Sequence, residues 1–226
     1  SGSMDSYEKL PLLKTAFSLL VETLTENDKV SIVTYAGSSE IVLDSVSGDN
    51  KAEILDAIYN LTAEGSTAGA DGIRTAYALA EKNFKKNGNN RVILATDGDF
   101  NVGISNTDAL AELIGEKKDG GVYLSILGFG TGNIRDDIME TLSKNGNGNY
   151  AYIDTAQTAK KVLVEELGGN LFTVADDVKA QIEFNPEVVK SYRLIGYENR
   201  MLNNEDFDDD RKDSGVQRRF LDWNRP

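Results

Sequence analysis

Two hydrophobic periods alternate along the first 167 residues, and this alternation constrains the fold more than any other feature. Apolar residues recur at three- and four-residue steps in some segments, as in helices, and form short runs in others, as in buried strands. The predicted helices are 6–25, 49–61 with Asp49 as cap, 71–86 with Phe84 facing inward, one that begins at the cap Thr107, 134–144 and 155–167 with Thr155 as cap. The predicted strands are 30–35, 41–46, 91–96, 122–129 and 150–154.

Strands that alternate with helices of this length predict an α/β fold, with a doubly wound, mostly parallel sheet and helices on both faces. The runs VSIVTY, RVILAT and VYLSILGF are nearly continuously apolar, as is typical of strands covered on both faces. After residue 169 the pattern becomes an apolar–polar alternation around Pro186, which predicts an antiparallel hairpin. We therefore predict an α/β domain over 1–170, the start of a β-rich unit over 171–200, and an acidic segment with a disordered tail over 201–226.

The composition excludes several kinds of site. The 226 residues include no Cys and no His, and 37 acidic against 24 basic residues give a net charge of −13. Thiol and imidazole chemistry, zinc sites built on these groups and disulfides are therefore excluded. The acidic excess disfavours nucleic acid and anionic membrane surfaces as partners. Any metal must use oxygen ligands, which favours Mg²⁺, Mn²⁺ or Ca²⁺.

Three polar loops are predicted at the carboxyl ends of strands, where open parallel sheets bind their ligands. Residues 1–4 precede the first helix, residues 65–69 precede the third, and residues 96–99 follow the strand RVILAT. Together the loops offer hydroxyl and carboxylate oxygens of low total charge. Such a set suits a small divalent cation with an open coordination position, which an incoming carboxylate can fill. In the alternative interpretation, Thr67 is an ordinary helix cap and Asp97 is an ordinary turn residue.

Several motifs of the chain resemble those of von Willebrand factor type A domains of the bacterial secreted or lipoprotein type. They are SGSM, GSTAGADGI, NNRVILATDGDFNVG, LGFGTGN and NGNYAYID. That family carries a metal-ion-dependent adhesion site (MIDAS), written Asp-x-Ser-x-Ser followed by a distant Thr and a distant Asp. Ser1, Ser3, Thr67 and Asp97 match this motif. The resemblance implies a Mg²⁺ site (or Mn²⁺ or Ca²⁺) on these residues. It implies a non-enzymatic protein-binding module whose partner supplies Asp or Glu, with no small-molecule substrate.

The chain departs from the family pattern at its start. The motif's leading Asp would lie two residues before Ser1, and in the family the strand that carries it is central to the sheet. We therefore expect a fold without its first central strand and a weakened or absent cation site, because a free N-terminal amine would lie beside the metal. The resemblance also implies export to the envelope, periplasm or surface of a bacterium. Membrane attachment would then come only through an upstream lipid anchor.

Alternative interpretations rest on fewer residues. Asp97 and Asp99 resemble the nucleophile and acid of a Mg²⁺-dependent phosphatase, but Asn101 stands where that motif requires Thr or Val. A structural remnant without activity is a third possibility. The glycines of 128–132 do not have the spacing of a dinucleotide loop, and 206–213 lacks the glycine of a calcium loop. We interpret these two segments as a turn and a solvated acidic run.

Overall fold

The computed structural model describes residues 2–65, 69–98, 107–130, 136–166 and 182–193. The helices are α1 (Leu10–Thr23), α2 (Lys51–Tyr59), α3 (Gly69–Lys82), α4 (Thr107–Asp119), α5 (Asp136–Asn145) and α6 (Ala156–Lys160), which continues as a π-helical segment over Lys161–Glu166. The strands are β1 (Lys29–Ala36), β2 (Ser38–Ser47), β3 (Asn90–Thr96), β4 (Val122–Phe129) and β5 (Tyr150–Ile153). A short 3₁₀ helix covers Gly2–Met4. The chain divides into two compact units, Ser1–Phe172 and Thr173–Pro226.

The strands form two sheets. β3, β4 and β5 form a parallel sheet in that order, and β1 pairs with β2 in an antiparallel ribbon. Asn90 of β3 pairs with Val122 of β4, and the register is kept to the carboxyl end of both strands. Each parallel connection runs through a helix, as parallel pairing requires. The predicted α/β class is therefore confirmed.

Helices cover both faces of the parallel sheet. Ile93 of β3 packs in a cluster with residues of α1 and α6, whereas its neighbours Val92 and Leu94 pack in a cluster with residues of α3, α4 and α5. Successive strand residues point to opposite faces, so these two clusters are the two sides of one sheet. A third cluster joins α1, α2 and β2 around Ile54. This layering confirms the doubly wound arrangement that the apolar runs predicted.

β1 differs from the prediction. The run VSIVTY was expected to be covered on both faces, yet no residue of β1 is fully buried. Within the described ranges β1 forms a ladder with β2 alone, and a two-stranded ribbon leaves its side chains half-exposed. A side chain joins the two sheets, because the Tyr35 hydroxyl donates a hydrogen bond of 2.7 Å to the carbonyl of Ala95 in β3.

Two helix starts depart from the expected positions. α1 begins at Leu10 rather than at residue 6, because Pro11 fits the first turn of a helix, where no backbone N–H is required. The predicted cap Asp49 is wrong: Asn50 is the cap of α2, and its side chain makes no capping hydrogen bond. The predicted Thr107 cap lies outside the described side chains. The Thr155 cap of α6 is confirmed, since its hydroxyl accepts the backbone N–H of Thr158 at 3.1 Å.

The predicted end of the third helix is also wrong. α3 ends at Lys82 rather than at residue 86, so Phe84 does not face inward along the helix and is 45% exposed. Its ring lies close to Gly121, which has a φ of +86° and would hold a Cβ only 3.3 Å from the ring. Within the described ranges, no helix combines the length and the apolar character needed to cross a bilayer.

The second unit is described only over residues 182–193. The alternation around Pro186 predicted strands, but this segment contains a turn and no strand. Asn185 starts the turn, and its carbonyl accepts the backbone N–H of Val189 at 2.9 Å. The rings of Phe184 and Tyr192 flank the turn, with centroids 4.3 Å apart. The rest of the predicted hairpin and the segment 201–226 lie outside the described residues.

Candidate metal centre at the carboxyl end of the sheet

Asp97 follows directly after β3, at the carboxyl end of the parallel sheet. The chain turns there because Gly98 has a φ of +88°, and its backbone N–H donates to the hydroxyl of Thr96 at 3.1 Å. The Asp97 side chain is only 5% exposed. A carboxylate this buried requires a charged or hydrogen-bonding partner, because transfer from water is costly.

Lys9 is such a partner, and it joins two of the predicted loops. Its ammonium nitrogen lies 2.9 Å from Asp97 Oδ2 and 2.9 Å from the backbone carbonyl oxygen of Ser3. Asp97 is 88 positions away in the sequence, so only the tertiary fold brings these groups together. Ser3 and Asp97 are therefore neighbours around one cationic group.

The second predicted loop approaches the first through the backbone. The N–H of Gly2 donates a hydrogen bond of 2.9 Å to the carbonyl of Gly65. Gly65 has a φ of +65°, and a Cβ there would lie 2.9 Å from the backbone of Ala36, so a larger residue would disturb this approach. The start of the loop that carries Thr67 is thus held beside the segment that carries Ser3.

The predicted site residues divide into two groups. The structure brings Ser3 and Asp97 together, whereas Ser1 and Thr67 lie outside the described residues. Asp99, the acid that the phosphatase interpretation requires, also lies outside them. That alternative gains no support from the geometry.

Lys9 was missed by sequence reasoning, because α1 was predicted to begin at residue 6 and only the structure places Lys9 at its start. It occupies the N-cap of α1, where Ser, Thr, Asp or Asn is preferred, and its side chain makes no capping bond. A positive charge at that end of a helix is also opposed by the helix dipole. A residue that breaks two local rules at once is a candidate for a role in tertiary structure or function.

The side chain of Lys9 lies against Gly130, and Tyr152 holds Gly130 in place. Gly130 follows β4 with a φ of +91°, and a Cβ there would lie 2.6 Å from Cε of Lys9. The lysine stem therefore lies directly against the backbone of the glycine. The hydroxyl of Tyr152 donates to the Gly130 carbonyl at 2.6 Å, which fixes this strand end. Of the glycine-rich segment 128–132, the first two residues end β4, and the residues after Gly130 lie outside the described part of the chain.

Tyr35 borders the same region. Burial raises the pKa of the Tyr35 hydroxyl well above its usual value, the charge of Asp97 raises it further, and a hydrogen bond with the Thr96 side chain opposes the shift. Tyr35 therefore remains a neutral hydrogen-bond donor to Ala95 at physiological pH. It ties β1 to the strand end that presents Asp97.

The donor chemistry of this region fits a hard divalent cation. Asp97 supplies a carboxylate oxygen, Ser3 supplies carbonyl and hydroxyl oxygens, and neither residue carries nitrogen or sulfur in its side chain. The Lys9 ammonium already lies against both residues, so the place stabilises positive charge. Oxygen-only ligands are the set that Mg²⁺, Mn²⁺ and Ca²⁺ prefer.

Comparisons with known sequences agree with this geometry. The family profile of the von Willebrand factor type A domain matches residues 1–166, and a profile described as the C-terminal part of uncharacterized protein YfbK matches residues 169–216. The chain is 52% identical to uncharacterized protein YfbK of Escherichia coli K12 over 215 residues, which are 95% of this chain. It spans 37% of the length of that relative.

Solved structures share the fold. An aerotolerance-related membrane protein of Bacteroides fragilis superimposes with a TM-score of 0.61 at 20% identity, over 75% of this chain and 94% of its own. Proximal thread matrix protein 1 of the mussel byssus, with a zinc-occupied MIDAS motif, gives a TM-score of 0.56 at 22% identity, over 72% of this chain and 41% of its own. From the profile match, the parallel α/β sheet and these neighbours, the chain belongs to the von Willebrand factor type A domain family.

Proposed function

We propose that the α/β domain is a non-enzymatic protein-binding module that uses a divalent cation at the carboxyl end of β3 to bind a carboxylate of its partner. The observation that carries this proposal is the buried Asp97 carboxylate, which shares a cationic group with Ser3. In the proposal Ser1, Ser3 and Thr67 bind the cation directly, and Asp97 binds it directly or through water. The zinc-occupied MIDAS motif of a fold neighbour supports a divalent cation in this family.

The charge of the site explains why a partner carboxylate would be attracted. Three of the four proposed ligands are neutral hydroxyls, so Asp97 alone offsets the charge of the ion. The ion therefore remains electrophilic and favours an anionic ligand in its open position. An Asp or Glu side chain of a partner protein supplies that ligand.

Within this proposal the cation is Mg²⁺, with Mn²⁺ and Ca²⁺ as alternatives, because all four proposed ligands are oxygen donors and these ions prefer such a set.

We also propose that the domain acts in the cell envelope or at the surface of a bacterium. The 52% identical relative is bacterial, and a fold neighbour is described as a membrane protein. In this view a lipid anchor outside the present sequence attaches the protein to the membrane.

Paramagnetic Mn²⁺ tests the proposed site directly. In ¹⁵N-labelled protein, substoichiometric Mn²⁺ should broaden the amide signals of Ser3, Met4 and Gly98 before any others, because these amides flank the proposed ligands. Asp97→Asn should abolish this local broadening, since it removes the carboxylate charge. Acetate, compared with chloride at equal ionic strength, should strengthen Mn²⁺ binding, because it supplies a model carboxylate for the open position.

Asp154→Asn is the matched control. Asp154 also follows a strand at the carboxyl end of the sheet, but it is exposed and accepts a local hydrogen bond of 2.6 Å from the Thr158 hydroxyl. This variant should keep the broadening at Ser3 and Gly98. Broadening spread over surface carboxylates, or broadening that survives Asp97→Asn, would contradict the proposed site.

A further inference from the structure

We propose that Lys9 is an internal counter-ion that competes with the metal, so that a divalent cation binds only by displacing its ammonium group from Asp97 and Ser3. This inference rests on the proposed function and adds a control device to the same site. It predicts a metal-free form in which the ammonium group of Lys9 holds Asp97 and the Ser3 carbonyl group together.

The contacts of Lys9 carry the inference. One ammonium group lies 2.9 Å from both Asp97 Oδ2 and the Ser3 carbonyl oxygen. Two cationic groups cannot both lie at bonding distance from one carboxylate oxygen in the same direction, because their mutual repulsion at such short range is severe. Direct binding of a divalent cation to Asp97 Oδ2 from the side that the ammonium group now occupies therefore requires Lys9 to move.

The surroundings of Lys9 allow such a movement. The Lys9 side chain is 24% exposed, whereas that of Asp97 is 5% exposed, so the lysine lies on the solvent side of the pair. Rotation of its flexible stem carries the ammonium group into water without passing through the core. The stem lies against Gly130, which has no side chain to lock it in place.

The position of Lys9 in the chain is a separate observation that favours a functional role. It caps α1 without a capping bond and places a positive charge where the helix dipole opposes it. Local stability alone would favour Ser, Thr, Asp or Asn here. The ion pair with Asp97 compensates this local cost, and it can do so only while the site lacks a divalent cation.

Lys9→Met tests the competition, because it keeps the length and apolar stem and removes the charge. We expect Mn²⁺ to bind Lys9→Met about tenfold more tightly than the unsubstituted chain, which is within the usual range for coupling between two ligands. Lys14→Met is the control, since Lys14 lies on the same helix and donates to the carbonyl of Tyr59 rather than to the site. It should leave the Mn²⁺ affinity unchanged.

Observing the ammonium group directly distinguishes displacement of Lys9 by the metal from a general electrostatic effect of its charge on metal affinity. In a ¹⁵N spectrum of lysine side chains at low temperature, the Nζ signal of Lys9 should be protected from solvent exchange in EDTA. It should become exchange-broadened on saturation with Mg²⁺, and also in Asp97→Asn without metal. A Lys9 signal that stays protected in the Mg²⁺-saturated protein would overturn the proposal.

The outcomes for the competition and for the proposed function differ. Equal Mn²⁺ affinity of the unsubstituted chain and Lys9→Met, with local broadening at Ser3, overturns the competition and leaves the proposed function standing. Binding to neither protein overturns the proposed function. If Lys9→Met is too unstable to study, Lys9→Gln gives the same test. In EDTA, the double variant with Asp97→Asn should be no less stable than Lys9→Met alone, because the buried carboxylate charge that lost the Lys9 ammonium group is then gone.

Discussion

The two ends of the parallel sheet each hold a positive side chain, but their partners differ. At the carboxyl end, Lys9 pairs with the carboxylate of Asp97 and with a loop carbonyl. At the amino end, Arg91 donates to the hydroxyl of Ser125 at 2.6 Å, and its guanidinium lies 5.7 Å from the centroid of the Tyr123 ring. Burial lowers the pKa of Arg91, and Tyr123 partly opposes this shift, yet the guanidinium stays charged.

This difference distinguishes the two ends of the sheet. At the amino end the contacts of Arg91 stabilise the fold, whereas at the carboxyl end another cation can take the place of Lys9. The Ser125 hydroxyl and the Tyr123 ring both belong to the adjacent strand β4, so their contacts with Arg91 strengthen strand pairing. The partners of Lys9 come from two loops, and one of them carries a full negative charge that another cation can satisfy. Ligands of open α/β sheets bind at the carboxyl ends of strands, and the chemistry of the two ends agrees with that rule.

The largest expected effect concerns glycines at the two ends. Gly148 lies at the amino end, where a Cβ would collide with the carbonyl group of Leu124 in β4. Backbone cannot yield as a side chain can, so Gly148→Ala should lower the free energy of unfolding by about 3 kcal/mol. Urea unfolding in EDTA measures this loss.

Gly130→Ala is the matched substitution at the carboxyl end. Its Cβ would meet the flexible stem of Lys9, and the remaining cost is strain at a positive φ, about 1–2 kcal/mol. Because the added methyl group moves Lys9 away from Asp97, Mn²⁺ affinity should also rise. If Gly130→Ala lowered the free energy of unfolding as much as Gly148→Ala, the carboxyl end of the sheet would be as rigid as the amino end. That result would contradict the distinction between the two ends.

Arg91→Met should have an intermediate effect and should not alter metal binding. The methionine keeps the apolar stem, but the fully buried hydroxyl of Ser125 loses its charged donor and keeps the longer hydrogen bond of 3.5 Å from the backbone N–H of Asn149. A loss of about 1–2 kcal/mol is expected by urea unfolding. Mn²⁺ titration should give the affinity of the unsubstituted chain. A change in that affinity comparable to the one expected for Lys9→Met would show that the two ends are coupled and would remove the distinction drawn above.

The smallest expected effect compares two tyrosines that differ in the hydrogen bonding of their hydroxyls. Tyr35→Phe removes the hydrogen bond to the Ala95 carbonyl and should lower stability by about 1 kcal/mol. The hydroxyl of Tyr77 is buried and has no hydrogen-bond partner within the described part of the chain. Tyr77→Phe should therefore be neutral or slightly stabilising. Thermal unfolding of both variants measures the difference, and equal losses would show that Tyr35 contributes no bond of its own between the two sheets.

The order of the helices and strands and the class of fold followed from the pattern of apolar residues along the chain. The runs RVILAT and VYLSILGF are nearly continuously apolar, so coverage of both faces followed from the sequence pattern. The same reasoning failed for VSIVTY, because coverage of a strand depends on its neighbours in the sheet and not on its own residues. It failed at Phe84 because the helix ended earlier than its periodicity indicated.

The assembly of the candidate site became visible only in the folded molecule. Asp97 was identified from its position after a buried strand, and Ser3 from the spacing of a motif. Lys9 was not identified, since its partner lies 88 residues away and a lysine near a helix start normally faces solvent. Periodicity encodes which face of an element is buried, whereas the pairing of a charge across the fold depends on how loops from distant elements meet.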